Sequence, residues 1–256
     1  MSFIAIIPSR MTSTRLPGKP LKDIAGKPMV VRVAEQAAAS GAERVIVAAD
    51  SKDIIEACAA HGVEAILTRP DHPSGTDRLA EVVCKLGLDD QTIIVNVQGD
   101  EPLIPPSVIR KVADLLENDP ESTIATAAHP IADAESFFNP NVVKVELDST
   151  GHAMTFTRAP VPWPRDAFAQ DKTRLPDGFT AYHHIGLYAY RSLFLKQFSS
   201  LSRAPCECFE SLEQLRAMWH GYRIAVTVLE SNLPAGVDTQ EDLDRVRSVF
   251  AHGKNG

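Results

Sequence analysis

The sequence predicts an α/β fold in which a mostly parallel sheet is flanked by helices. The first half of the chain alternates short apolar runs with stretches of helical periodicity. Strands that are apolar on both faces are typical of parallel sheets, because crossover helices cover both sides of such a sheet. A series of βαβ units therefore accounts for the first hundred residues.

The elements of this first half follow in order along the chain. The predicted strands are residues 4–7, 45–49, 64–67 and 92–97. The predicted helices are residues 29–39, 54–60 and 77–86. Ser40-Gly41 and Gly62 follow the first two helices, in the position where glycine commonly ends a helix.

The pattern changes at about residue 141. Residues 143–147 alternate strictly between apolar and polar, and 153–157 and 186–190 also predict strands around the Pro-rich loop 160–164. We interpret residues 141–205 as an inserted, partly antiparallel portion of one domain spanning residues 1–256. Such a portion suits a dimer contact or a substrate lid.

The chain closes with a helix at 207–220, a strand at 224–229 and a helix from Thr239. In the first of these helices Cys208, Leu212, Leu215 and Trp219 are predicted to share an apolar face, with Glu207, Glu210, Ser211 and Gln214 facing away. Thr239 and Asp242 form a capping-box pattern at the start of the last helix.

Composition narrows the function classes. The chain carries 26 Lys and Arg against 33 Asp and Glu, a net charge of −7, which argues against a general nucleic-acid binder. No apolar run approaches the roughly 20 residues of a membrane span, and the N-terminus lacks a signal-peptide pattern, so we expect a cytoplasmic protein. The four cysteines, Cys58, Cys84, Cys206 and Cys208, lack zinc-ligand spacing and are expected to be reduced thiols.

A basic segment directly after the first strand is the most informative motif. Residues 10–27 contain five basic side chains and one acidic one, and Ser13, Thr14 and Gly18 add hydroxyls and room for close backbone approach. Ligands bind at the carboxyl ends of parallel strands, and polyphosphates bind spaced cations and backbone N–H groups. The segment matches neither a Walker loop nor the Rossmann glycine pattern. The alternative is a solvated basic loop.

Two carboxylates are candidate metal ligands. Asp100 follows the strand at 92–97, where it can hold Mg²⁺ against a nucleotide triphosphate, and Asp238 is a candidate second ligand. Gln98 is placed to reach a base or a sugar. The alternatives are a common Gly-Asp turn at Asp100 and a capping carboxylate at Asp238.

The remaining candidates are individually weaker. Ser74 and Arg78 can contact a nucleotide, or Ser74 or Thr76 can simply cap a helix. Arg158 is a candidate anchor for an acidic substrate, or an exposed edge residue. His183 and His184 are adjacent in a strand, so they face opposite sides and at most one faces a site. The polar face of helix 207–220 can bind sugar hydroxyls or only solvent.

Seven segments together carry a family resemblance over almost the whole chain. In order they are IPSRMTSTRLPGKPL, DHPSGTDR, NVQGDEP, NPNVVKV, RAPVPWPRD, LEQLR and GVDT. This set resembles the 3-deoxy-manno-octulosonate (KDO) cytidylyltransferases. The first segment alone marks the wider group of sugar nucleotidyltransferases.

The resemblance implies a nucleotide-diphospho-sugar transferase fold, GT-A-like and Rossmannoid, with a dimerisation portion. It implies a homodimer that uses Mg²⁺ to convert CTP and KDO into CMP-KDO and pyrophosphate for lipopolysaccharide biosynthesis. By position, the residues similar to triphosphate-binding groups are Arg10, Ser13, Arg15 and Lys19. Ser74, Arg78 and Gln98 are similar to nucleotide or substrate contacts, Asp100 and Asp238 to metal ligands, and Arg158, His184, Glu210 and Gln214 to KDO contacts. Lys19, Arg15, Asp100 and Asp238 are the expected catalytic set.

Other functions stay open at the level of sequence. A related sugar acid such as 8-amino-KDO or sialate can replace KDO, and a UTP-using enzyme is a further possibility. A GT-A-type glycosyltransferase belongs to a different class, but it commonly carries a D-x-D motif, and residues 99–102 offer a single Asp. A non-catalytic nucleotide-binding homologue is the last alternative, although each charged position that the reaction needs is present.

Overall fold

A computed structural model describes residues 2–13 and 15–252 of the protein, and Thr14 of the basic segment lies outside the described residues. The strands, in chain order, are β1 (Ile4–Ser9), β2 (Asp23–Ile24), β3 (Lys27–Pro28), β4 (Arg44–Ala49), β5 (Glu64–Leu67), β6 (Ile93–Asn96), β7 (Ile124–Pro130), β8 (Lys144–Leu147), β9 (Ala153–Thr157), β10 (Tyr182–Arg191) and β11 (Ile224–Val228).

The helices, in chain order, are α1 (Met29–Ala39), α2 (Lys52–Ala59), α3 (Gly75–Leu86), α4 (Pro106–Asn118), α5 (Ala134–Phe138), α6 (Arg165–Gln170), α7 (Ser192–Phe198), α8 (Pro205–Glu210), α9 (Gln214–Trp219) and α10 (Gln240–His252). A single turn of 3-10 helix spans Lys19–Leu21. No helix within residues 2–13 and 15–252 is both long and apolar enough to cross a membrane.

The chain forms two compact units. Unit 1 contains the described residues of Met1–Asp114, Ala189–Ser199 and Leu233–Gly256, and unit 2 contains Leu115–Tyr188 and Ser200–Asn232. In unit 1 the strands run in the order β6, β1, β4, β5, and each neighbouring pair is parallel. Helices connect these strands, as the βαβ pattern predicts.

Unit 1 is built as a parallel sheet because its strands can be buried on both faces. Ile4, Ala5, Ile6 and Ile7 of β1 are all buried, although alternate residues point to opposite sides. Helix α3 begins at Ser74, whose hydroxyl accepts a hydrogen bond from the backbone N–H of Asp77 at 3.2 Å.

Unit 2 combines parallel and antiparallel pairing. β11 runs parallel to β7, whereas β8 pairs antiparallel with both β9 and β10. An aromatic cluster lies within this unit around the fully buried Phe137, which contacts the rings of Phe138, Phe168 and Phe179. The predicted α/β class is confirmed: the sheet is mostly parallel and flanked by helices, and antiparallel strands occur where the alternating pattern begins.

Helices α4 and α5 and strand β7 are absent from the sequence prediction, which assigns no element between residues 98 and 140. The pattern of α4 was nevertheless visible, because Val108, Ile109, Val112 and Leu116 recur at helical spacing and are all buried. The α10 prediction is confirmed: Thr239 Oγ1 accepts from Asp242 N at 3.2 Å, and the Asp242 carboxylate accepts from Thr239 N at 3.0 Å.

Candidate active site

The loop after β1 carries Lys19 into contact with two other loops of unit 1. Gly18, at φ +66°, starts the turn of 3-10 helix that holds Lys19. The Lys19 ammonium donates to Asp100 Oδ2 at 2.7 Å, to the Val237 carbonyl at 3.0 Å and to Asp238 Oδ1 at 3.1 Å. One partly buried cation thereby joins segments that are 81 and 219 positions away in the chain.

Arg15 completes this group, which we call the Lys19 cluster: Arg15, Lys19, Asp100 and Asp238. A guanidinium nitrogen of Arg15 lies 3.0 Å from Asp238 Oδ2, and both side chains are largely exposed. Two cations and two carboxylates balance each other in charge. The predicted catalytic residues are thus brought together, although their catalytic role stays a prediction.

Backbone packing fixes the position of Asp100. The Asp100 carbonyl accepts a hydrogen bond from Val237 N at 2.8 Å, which ties the loop after β6 to the loop before α10. Gly99 sits so close to β1 that a Cβ atom there would lie 2.8 Å from the Pro8 carbonyl oxygen. A side chain at this position would therefore force the loop carrying Asp100 away from β1.

Glu101 is a feature of this site that the sequence prediction missed. Burial, together with the neighbouring Asp100 charge, raises the pKa of Glu101 to about 7. The signal was present in the sequence as a second carboxylate directly after Asp100, but its burial depends on the fold.

The other predicted nucleotide-binding residues have varied surroundings. Arg10 is exposed, and Ser13 Oγ accepts from Leu16 N at 3.3 Å within its own loop. The Gln98 carbonyl accepts from Glu101 N in the turn that precedes α4. Ser74 caps α3, so the structural alternative for this residue is confirmed.

Arg78 is held inside unit 1. Its side chain is only 4% exposed, and one guanidinium nitrogen donates to Thr68 Oγ1 and to the Arg69 carbonyl. These contacts join α3 to the segment after β5. A nucleotide contact for Arg78 therefore stays a prediction, while its structural role is established by these bonds.

In unit 2, the side chains of Arg158 and Glu210 each form a hydrogen bond with the main chain of the other residue. Glu210 Oε2 accepts from Arg158 N at 2.8 Å, and its Oε1 accepts from Thr157 Oγ1 at 2.7 Å. In return, Arg158 Nε donates to the Glu210 carbonyl at 2.7 Å. A second guanidinium nitrogen donates to the Pro140 carbonyl at 2.9 Å. Arg158 is thus a fixed, half-buried group rather than a loose edge residue.

The predicted single helix at 207–220 is wrong. Helical geometry is interrupted at Ser211, which adopts φ +53°, and the segment forms the two short helices α8 and α9. The predicted apolar face is lost with it, since Cys208 and Trp219 are exposed while Leu212 and Leu215 are buried. A residue in the left-handed conformation changes the direction of the chain, so residues before and after Ser211 no longer share a helix face even at helical spacing.

The predicted polar face of that helix also changes. Glu207 is 1% exposed and binds Arg216 through hydrogen bonds of 3.0 and 2.5 Å, so it does not face solvent. Gln214 is buried, and its Nε2 has no hydrogen-bond partner within the described part of the chain. A buried amide nitrogen of this kind is available to a ligand.

His184 is buried next to β7. One of its ring nitrogens lies 3.1 Å from Thr126 Oγ1, and its ring packs edge-on against Phe156. Burial, with a contribution from His183, lowers the pKa of His184 to about 3, so the imidazole is neutral at pH 7. His183 contacts His129 instead, in line with the prediction that the two neighbours face different sides.

The carboxylates of the Lys19 cluster remain the candidate metal ligands. Within residues 2–13 and 15–252, no group of three or more His, Cys, Asp or Glu side chains is arranged to hold a metal ion. Asp100 and Asp238 direct one oxygen each toward the same ammonium, so both face a common point. All four cysteines are free thiols.

Comparison with known proteins assigns the family. A cytidylyltransferase family model matches residues 4–224. A solved structure of CMP:2-keto-3-deoxy-manno-octonic acid synthetase complexed with CTP is 40% identical, covers 98% of this chain and 99% of its own, and superimposes with a TM-score of 0.89.

Two more distant structures share the fold. A cytidylyltransferase from Leptospira borgpetersenii serovar Hardjo-bovis is 17% identical, covers 98% of this chain and 87% of its own, and has a TM-score of 0.60. A nucleotidyl transferase from Methanothermobacter thermautotroptrophicus is 15% identical, covers 98% of both chains, and has a TM-score of 0.62. With the family match over most of its length, this chain is a nucleotidyltransferase and belongs to the cytidylyltransferase family.

Proposed function

We propose that this protein transfers the cytidylyl group of CTP to KDO and releases pyrophosphate. The observation that carries the proposal is the 40% identity, over 98% of the chain, to the synthetase solved with CTP. The Lys19 cluster supports it, because it gathers cations and carboxylates at the carboxyl ends of parallel strands.

The Lys19 cluster fits a magnesium ion. Mg²⁺ prefers carboxylate oxygens and is commonly held by one or two of them together with substrate phosphates and water. Asp100 and Asp238 supply two such groups, and the Lys19 ammonium lies within 3.1 Å of an oxygen of each. When bound there, the ion would neutralise phosphate charge and lower the pKa of the attacking hydroxyl.

The chain's own residues position CTP. Lys19 and Arg15 neutralise the charge that builds on the departing pyrophosphate, and Arg10 and Ser13 bind the triphosphate. When the triphosphate binds, Lys19 exchanges carboxylate partners for phosphate oxygens. Because the ammonium is already fixed by three acceptors, little side-chain entropy is lost in that exchange.

The residues of unit 2 bind the sugar acid. Arg158 holds the carboxylate, while Glu210, Gln214 and the neutral His184 bind hydroxyl groups. Gln98 is a further proposed contact of the sugar acid. The anomeric hydroxyl forms the new O–P bond at the α-phosphorus and loses its proton to solvent, while the bond to the β-phosphate oxygen breaks. No residue is assigned as a covalent nucleophile, since positioning and charge neutralisation suffice for this transfer.

We also propose the wider setting of the reaction. The chain acts as one functional domain with a dimerisation portion at residues 141–205, as a homodimer in the cytoplasm, where CTP is available. CMP-KDO made there serves lipopolysaccharide biosynthesis. Light scattering on the purified protein tests the homodimer.

Pyrophosphate release tests the reaction directly. The protein is incubated with Mg²⁺, CTP and KDO, with controls that lack KDO or replace CTP with UTP. We expect release only when CTP and KDO are both present, and none when Mg²⁺ is chelated. Release with sialate or 8-amino-KDO but not with KDO would show that a different sugar acid is the substrate. If no sugar acid supports pyrophosphate release, the proposal is overturned.

A further inference from the structure

Lys144 is a buried cation that has no part in the reaction as proposed so far. The strict alternation of β8 places it on the polar face of the strand, yet its side chain is 0% exposed. Its ammonium donates to two backbone carbonyls, Asn139 at 3.0 Å and Val142 at 2.5 Å. A buried ammonium normally has a carboxylate partner, because carbonyl oxygens compensate its charge only in part.

Arg158 has the same kind of partners. Its guanidinium donates to the carbonyls of Glu210 and Pro140. Within the described part of the chain, no carboxylate oxygen lies within 4.0 Å of a nitrogen of either Lys144 or the Arg158 guanidinium. Glu210 is the nearby acid, but its two oxygens accept hydrogen bonds from Thr157 and from the Arg158 backbone.

Lys144, Arg158 and Glu210 interact electrostatically with one another. Burial lowers the pKa of Lys144; the Glu210 charge opposes that shift and the Arg158 charge adds to it. The charges of Glu210 and Arg158 thus both affect the pKa of the Lys144 ammonium. These two cations and one carboxylate together have a formal charge of +1, which favours an anionic ligand.

A single turn links the two cations. Residues 139–142 lie between α5 and β8. Lys144 donates to the carbonyls of Asn139 and Val142, and Arg158 donates to the carbonyl of Pro140, which lies between them in the chain. Lys144 thereby fixes the turn from inside, while Asn139, Pro140 and Asn141 stay exposed. Displacing this turn would remove one of the two acceptors that orient the Arg158 guanidinium.

We propose that Lys144 is a positioning residue for the carboxylate of the sugar acid. It anchors turn 139–142, which orients Arg158, and it supplies the second positive charge that favours an acid over a neutral sugar. Because the side chain is buried, it acts through the turn and through its charge without touching the substrate. This inference rests on the proposed function.

Steady-state kinetics of Lys144→Met test the inference. We expect KM for KDO to rise about tenfold, because Arg158 loses its fixed orientation and the nearby positive charge is removed, while KM for CTP stays within about twofold. Lys144→Gln is the second variant, since it keeps N–H donors for the turn and folds if the methionine variant does not. The glutamine variant is expected to raise KM for KDO selectively as well.

The matched control is Asp119→Asn, which weakens a contact with His152 in the same unit at a place that the reaction does not use. It is expected to leave both KM values unchanged, even where its melting temperature falls as much as that of the Lys144 variants. A parallel rise in both KM values, or no rise in a folded Lys144 variant, overturns the inference and leaves the proposed function standing. A wild-type protein that is inactive with CTP and KDO overturns the proposed function, and the inference falls with it.

Discussion

The Lys19 cluster of unit 1 and the Lys144–Arg158 pair of unit 2 have their charges satisfied in opposite ways. In unit 1, Lys19 and Arg15 form ion pairs with Asp100 and Asp238. Within the described residues of unit 2, the Lys144 ammonium and the Arg158 guanidinium bind only backbone carbonyls. The first arrangement is neutral, whereas the second, counted together with Glu210, carries a formal charge of +1.

This difference in charge pairing matches the charges that the two proposed ligands would carry. A triphosphate with a divalent cation carries both signs of charge, so a balanced cluster can divide between them. A sugar acid carries one carboxylate, which in our proposal Arg158 receives without breaking an ion pair, while Lys144 contributes its charge from inside unit 2. The two units thus illustrate how pre-paired and unpaired cations suit ligands of different charge.

Removing a carboxylate from the Lys19 cluster is the strongest test of the unit 1 half of the comparison. Asp100→Asn takes away a metal ligand and a partner of Lys19 without changing size, so we expect turnover to fall about 10³-fold with the fold retained. Pyrophosphate release and circular dichroism measure the two effects. Asp71→Asn, at an exposed ion pair, is the control. Near wild-type turnover in Asp100→Asn would remove the metal argument.

Glu207 differs from the Lys144–Arg158 pair, because it forms a buried ion pair with Arg216 in the same unit. Glu207→Gln leaves the guanidinium without its charge partner, and we expect unfolding to become easier by about 3 kcal/mol. The control Glu121→Gln alters an exposed pair with Arg223 and should change stability by under about 1 kcal/mol. Equal effects of the two variants in thermal unfolding would contradict this account.

The same residue gives a pH dependence. Burial alone would raise the pKa of Glu207, but the hydrogen bonds and charge of Arg216 lower it below its usual value. A depressed carboxyl pKa adds stability above the unfolded-state pKa, and that stability is lost as the pH falls. The stability difference between wild type and Glu207→Gln should therefore shrink from pH 7 to below pH 4.

Gly99 tests whether backbone packing alone positions Asp100. Gly99→Ala would place a Cβ 2.8 Å from the Pro8 carbonyl, so we expect a loss of about 2 kcal/mol in stability and a weaker binding of Mg²⁺ with CTP. At Gly186 a Cβ meets nothing within 4 Å, which makes Gly186→Ala the matched control. An alanine at 99 that is as well tolerated as one at 186 would show that the loop adapts freely.

The smallest expected effect separates charge from geometry in unit 2. Arg158→Lys keeps the positive charge but loses the fork that reaches the Glu210 and Pro140 carbonyls. We expect KM for KDO to rise about fivefold, with KM for CTP unchanged. Arg165→Lys, on the exposed start of α6, should change neither value. A change confined to KM for CTP would place Arg158 with the nucleotide.

The regular elements of unit 1 were largely predictable from local patterns. Helix α1 and strand β5 have the predicted bounds, because apolar periodicity and terminal glycines are local properties. The association of Asp100 with the basic segment was also predictable, since the carboxyl ends of parallel strands meet at one edge. That Lys19 would bridge Asp100 and Asp238 was not, because it depends on side-chain reach.

The break at Ser211 shows where local reasoning fails. Residues 207–220 have helical spacing, but a single positive φ divides them and buries Glu207 against Arg216. Serine carries no signal for a left-handed conformation, which costs free energy that other contacts must offset. Only the packing of the surrounding unit selects it.

The α/β class, most strands and helices of the first half, the cap of α10 and the family resemblance follow from the amino-acid sequence. These depend on periodicity, capping residues and motif order, which are read along the chain. Only the folded chain shows which charges are paired, that Lys144 is buried and that Gln214 Nε2 has no hydrogen-bond partner among the described residues. Such properties depend on which segments cover a given face, and alternation along a strand specifies the face but not what covers it.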